Sequence, residues 1–134
     1  MGSFTDFLEL KLLDHVFGAA AYTAPATLYV ALSTTTITDA GGNMTEPVGN
    51  AYARVAVTNN ATNWPAASAG AKSNGTAINF PTATGSWGTI IDFAIMDAAS
   101  AGNMLGYGTL TTAKAITTGD TPSFAVGDLD ITLT

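Results

Sequence analysis

Residues 91–96 read Ile91-Asp92-Phe93-Ala94-Ile95-Met96, with Ile91, Phe93 and Ile95 alternating against Asp92, Ala94 and Met96. A two-residue period puts one set on one face of an extended chain, so this stretch predicts a β-strand with one face in a core and one in water. The same alternation recurs on both sides of it. Leu28, Val30 and Leu32 alternate with Tyr29 and Ala31, and Tyr52, Arg54 and Ala56 with Val55 and Val57. Leu105, Tyr107 and Thr109 alternate with Gly106 and Gly108, and Leu129, Ile131 and Leu133 with Asp128, Asp130 and Thr132. Weaker runs cover residues 77–80, 112–117 and 122–126. About seven or eight short strands from residue 27 to 134, broken by Gly, Asn, Asp and Pro, predict a mainly β domain. Two antiparallel sheets packed face to face, a sandwich or jelly-roll arrangement, would bury their apolar faces.

Ahead of the strands, residues 4–17 predict one helix. Ser3 is a suitable N-cap, and Asp6 suits the positive helix end. Phe4, Leu8, Leu12 and Val16 recur every fourth residue, while Phe7, Leu10, Leu13 and Phe17 line an adjoining face. A helix this apolar must lie on a sheet or on a neighbouring chain. Two connections, residues 34–50 and 59–76, are longer than usual in a compact domain, so they are expected to be functional, self-packed, or arms that reach a partner. One domain over 1–134 fits the length.

Composition narrows the function. Charged residues are 10% of the chain against about 25% in an average domain, and Thr, Ser, Asn and Gly take their place. The formal charge is −6, with Lys11, Arg54, Lys72 and Lys114 the only cations besides His15, which excludes nucleic-acid binding of the usual electrostatic kind and argues against anionic membranes. Asp6, Glu9 and Asp14 interrupt any apolar signal core, and no apolar run is long enough to span a bilayer. The absence of Cys excludes disulfides, thiolate metal sites and Cys nucleophiles. His15 is the one His, and no Gly-x-Ser-x-Gly elbow accompanies it. Asp128 and Asp130 read as the wet face of a strand rather than a glycosidase pair. The acids around Asp39 and Glu46 miss the calcium-loop spacing. Asp92, between Ile91 and Phe93, reads as an outward-facing strand residue. No cofactor, metal or catalytic residue is expected.

The side chains left for recognition are aromatic and aliphatic. Trp64 precedes Pro65 in a long connection, and Trp87 sits in the Gly-rich turn Gly85-Ser86-Trp87-Gly88. Exposed, they would stack on sugars or anchor an interface; buried, they would plug the ends of the domain. With Phe4, Phe7, Leu8 and Leu12 they form the candidate interface. Few Lys and Glu side chains leave little entropy to lose on docking, and low surface charge is a solubility liability for a free monomer, so a homo-oligomer is expected.

The stretches Leu12-Leu-Asp-His-Val-Phe-Gly18, Pro25-Ala-Thr-Leu-Tyr-Val-Ala-Leu-Ser33 and Tyr52-Ala-Arg-Val-Ala-Val57 resemble a family of small tailed-bacteriophage virion proteins, usually labelled phage tail fibre protein. So do Asn63-Trp-Pro65, Phe80-Pro-Thr-Ala-Thr-Gly-Ser-Trp-Gly88 and Gly127-Asp-Leu-Asp-Ile-Thr-Leu133, and the resemblance spans nearly the whole chain. A compact β domain is also similar to the decoration or cement proteins that clamp phage capsids. The resemblance implies a virion structural protein without catalytic motifs. The expected role is capsid decoration, bound to the major capsid protein through the helix and the two long connections. The alternative is a tail-fibre or baseplate module that binds host-surface glycan through Trp64 or Trp87.

Overall fold

The computed structural model describes residues 2–133. Met1 and Thr134, the two ends of the expected domain, lie outside that range. In chain order the elements are β1 (Gly2–Phe4), α1 (Asp6–Phe17), β2 (Thr27–Ser33), β3 (Val55–Thr58), β4 (Ala71–Ser73), β5 (Ile78–Asn79), β6 (Gly88–Met96), β7 (Met104–Ile116), β8 (Ser123–Phe124) and β9 (Asp130–Thr132). Seven strands form one curled sheet in the order β3-β2-β6-β7-β1-β9-β4, and β5 pairs with β8. Every pairing is antiparallel except β1 with β9.

The mainly β fold with one N-terminal helix matches the expectation. The second sheet of the expected sandwich is only the two-residue ribbon β5–β8. Phe124 of that ribbon places its ring edge-on to Phe93 of β6, 5.6 Å between centroids. The register sets Leu32 opposite Phe93 and Val30 opposite Ile95, so these four side chains share the inner face and enter one buried cluster with Val57, Trp64, Phe80 and Trp87.

The outer face of the central strands is not wet. Ala31, Ala94, Met96 and Met104 are buried there under Ile37 and Met44 of residues 34–50. Asp92 lies on the same face and is 1% exposed, which corrects its outward-facing reading. Its Oδ2 accepts the Ile37 N–H at 2.7 Å, while its Oδ1 is buried without a partner. The connection thus folds back onto its own sheet instead of reaching out as an arm. Residues 59–76 do the same: Trp64 enters the core, and Asn60 Oδ1 accepts the N–H groups of Thr62 and Asn63.

The helix starts later than the sequence suggests. Ser3 and Phe4 belong to β1, and Thr5 is the N-cap residue, fully buried, with its hydroxyl donating to the Met104 carbonyl. Pairing of β1 with β7 wins because Gly2 faces Gly108 and Phe4 faces Gly106, where no β7 side chain keeps the strands apart. A Cβ on Gly108 would stand 2.7 Å from the Gly2 Cα and 2.7 Å from the Phe93 ring. Gly108→Ala is therefore expected to destabilise the fold by about 1–3 kcal/mol, as overpacking does. Hydrogen exchange checks it: the amides of β1 should lose protection before those of β2 and β6, and unchanged protection in β1 would refute the close contact.

The last strand is shorter than its alternation. Leu129 is fully buried, but Leu133 is 58% exposed and lies beyond β9. Asn74 clips this segment: its Nδ2 donates to the carbonyls of Thr76 and Ala125 at 2.8 and 2.9 Å, and its Oδ1 accepts the Leu129 N–H at 2.9 Å.

Candidate interaction surface

Helix α1 is held at its start and loosely thereafter. The Asp6 N–H donates to the Asp39 carbonyl at 3.0 Å, and Glu9 N–H to the Thr5 carbonyl at 3.0 Å. After the helix, the Gly18 N–H closes onto Asp14 O, and the Tyr22 N–H donates to His15 Nδ1 at 3.0 Å. That bond gives His15 a structural role in the turn. No residue of the helix is buried.

The helix is apolar on two opposite sides. Leu8 and Leu12, half-buried, look down on a groove of about 500 Å³ between α1 and the curled sheet, walled also by Phe4, Leu28, Ile131 and Trp64. Trp64 is 6% exposed and its Nε1 has no partner. On the far side Leu10, Leu13 and Phe17, spaced i, i+3, i+7, stand 63%, 55% and 82% exposed, with Val16 beside them. A helix with a second apolar stripe, on the side away from its own sheet, has surface to bury beyond its own domain. Burying these four side chains would be worth about 1.5–3 kcal/mol each, a gross gain close to the ~4–15 kcal/mol that association costs. Burial of the stripe alone would offset that cost only marginally, so the neighbouring charges matter as well.

Those charges are acidic. Asp6, Glu9 and Asp14 are exposed among the apolar residues of α1, one turn from Leu10 or Leu13, and Asp39 lies at the helix start. Lys11, the helix's one Lys, stands 5.7 Å from the Phe7 ring. Tyr107 donates its hydroxyl to Asp39 Oδ1 at 3.1 Å. Partial burial, then the bond to Asp39 and the charges of Asp39, Asp6 and Glu9, push that hydroxyl above its ordinary value.

Of the residues singled out in the sequence, Phe4, Phe7, Leu8 and Leu12 gather at this end, all half-buried, with Phe4 on β1 rather than on the helix. Trp64 and Trp87 do not join them at the surface. Trp87 is 4% exposed, donates from Nε1 to Asn50 O at 2.9 Å and meets Tyr52 edge-on at 5.2 Å. Both rings plug the core, so the exposed aromatic platform is not formed by either. Leu10, Leu13, Val16 and Phe17 are exposed on the same helix but were outside the candidate set, although their spacing was visible in the sequence; Val48, Val126 and Leu133 are exposed singly elsewhere.

The acids considered for chemistry are engaged elsewhere or set apart. Asp130 Oδ1 accepts from Ser73 Oγ, Asp128 lies in the turn before β9, and Glu46 is bound by Arg54 and Tyr52. Among the described residues no three His, Asp or Glu side chains are grouped to hold a metal. No described helix is long and apolar enough to cross a membrane.

A β fold that leaves large apolar side chains in solvent, four of them on one helix, suits a component of a larger particle, and comparison with protein families gives that particle: the chain is a bacteriophage virion protein of the tail-fibre class. Residues 3–132 match the family model described as Podophage GP4 fiber I protein gp80, and the chain belongs to that family. No curated protein matches the sequence.

Proposed function

We propose that this chain is a structural module of the phage tail fibre or baseplate, without enzymatic activity, fastened to neighbouring virion proteins through α1. The observation that carries the proposal is the outer stripe of α1: three large apolar side chains stay in solvent on a domain that buries both its tryptophans. Exposed apolar surface of this kind marks a protein contact. The family description names a fibre, which favours the tail over the capsid-decoration role. Neither Trp64 nor Trp87 gives a sugar a ring to stack on, so the proposed role includes no glycan site at either residue.

The test is assembly. Leu13→Asp with Phe17→Asp should fold normally, because both side chains are already exposed, yet appear in virions at less than about one-tenth of the normal copy number, a loss of roughly 1.4 kcal/mol or more of attachment. Quantitative mass spectrometry of purified particles reads the number. Normal incorporation refutes attachment through α1. Gold-labelled antibody on intact particles should mark the tail, and a label on the head would restore capsid decoration.

A further inference from the structure

Resting on attachment through α1, we propose that the partner seated on Leu10, Leu13 and Phe17 is a different protein chain of the virion, presenting an apolar segment flanked by Lys or Arg. The argument is charge complementarity. Asp6, Glu9 and Asp14 are interleaved with the apolar residues of the helix, and Asp39 adds a fourth carboxylate at its start. Lys11, with His15 in the last turn held by the Tyr22 N–H, is all the basic side chain that helix sets against them. A partner that covers the stripe brings its own rim within a few ångströms of these acids, where like charges are penalised and opposite ones set register and approach.

A second copy fits poorly. A two-fold contact places the same patch on both sides, so the carboxylates of α1 would face those of its copy. The chain has little basic surface to offer by any other face. Arg54 is bound to Glu46 at 2.8 Å, Lys72 is half-buried on β4 beside the groove, and Lys114 stands far along β7. An anionic membrane meets the same repulsion.

Two measurements on assembled phage test this. A photo-crosslinking phenylalanine analogue in place of Phe17 should join the chain to another virion protein, at a stretch where Lys or Arg stands within about one helical turn of apolar residues. A crosslink to a second copy, or to a stretch without basic residues, overturns the proposal. The charge reversal Glu9→Lys with Asp14→Lys should lower incorporation about tenfold or more, and Glu9→Gln with Asp14→Asn by less. Far-UV circular dichroism and thermal unfolding of the purified variants confirm that the fold is kept. Undiminished incorporation of the charge reversal overturns the basic partner while leaving attachment through α1 intact. Undiminished incorporation of Leu13→Asp with Phe17→Asp overturns both.

Discussion

Trp87→Ala is expected to lower the unfolding free energy by about 3–5 kcal/mol, the range for truncating a large buried aromatic. Out of the roughly 5–15 kcal/mol that hold a domain of ordinary stability, this brings one at the lower end of that range close to unfolding. Trp87 is 4% exposed in the main cluster, and its main chain is tied down too, with its N–H on Ile116 O at 3.0 Å. Removing the indole opens a cavity against Tyr52, whose hydroxyl accepts the Leu32 N–H and donates to Glu46. The lost bond to Asn50 O matters less, because Asn50 is exposed and water can replace the indole. Trp87→Phe should therefore cost only about 1–2 kcal/mol, keeping most of the packing and losing mainly the hydrogen bond. Urea unfolding of the three proteins decides it. A loss below about 1.5 kcal/mol for the alanine variant would mean that the ring does not carry the core.

The period-two runs in β2, β6 and β7 were legible because each lies in the sheet with its inner set in the core. What alternation could not say was whether the outer set meets water. Asp92 looked solvent-facing, yet the same face also carries Ala94 and Met96, and that composition was the available hint of a cover from residues 34–50. The N-terminal strand was hidden for a different reason. Gly2–Phe4 has no pattern of its own, and its partner strand lies about a hundred residues away, where Gly106 and Gly108 read only as the alternate positions of a strand. Asn74 stands among Ser, Gly and Thr in the second long connection with no pattern to mark it, although its amide is fully engaged inside the fold.

The candidate site was half legible for a related reason. Tryptophans among Gly, Pro and Ser have the same sequence signature whether they cap a core or face a partner, and here the core took both. The helix showed two apolar faces, and the spacing of residues alone did not say which of them the sheet would cover. Leu8 and Leu12 turn toward the sheet and its groove, while Leu10, Leu13 and Phe17 turn to solvent. Only the position of the sheet settles that order, and it depends on β1 and Thr5 fixing where the helix begins.

Arg54→Met should be the other severe substitution. Arg54 donates from Nε and Nη2 to the two Glu46 carboxylate oxygens at 2.9 and 2.8 Å, and from Nη1 to the carbonyls of Ala98 and Ala101 at 2.7 and 2.9 Å. One side chain thus joins residues 34–50 to the turn between β6 and β7. The ion pair is mostly shielded, at 6% exposure for Arg54 and 23% for Glu46. Removing one member of a buried pair costs about 3–5 kcal/mol, and the partial exposure of Glu46 brings the expectation down to about 2–4. Burial pushes the Glu46 carboxyl up, but the hydrogen bonds from Arg54 and Tyr52 and the Arg54 charge outweigh it and hold the group below its usual 4.5. A carboxyl depressed in the folded state adds stability above its unfolded value, and that stability fades as the pH falls through the folded one. The wild-type protein should accordingly lose stability on acidification below about pH 4.5, and Arg54→Met should lose less there, because its Glu46 takes up a proton without opposition. The gap between the two proteins is then wider at pH 7 than at pH 4. Adding Glu46→Gln to Arg54→Met removes the orphaned charge and should recover at least about 1 kcal/mol at pH 7, a coupling that separate losses would not show. Urea unfolding at both pH values measures all three effects. A gap that stays constant with pH would place the stabilising role of Arg54 in its bonds to Ala98 and Ala101 rather than in the carboxylate.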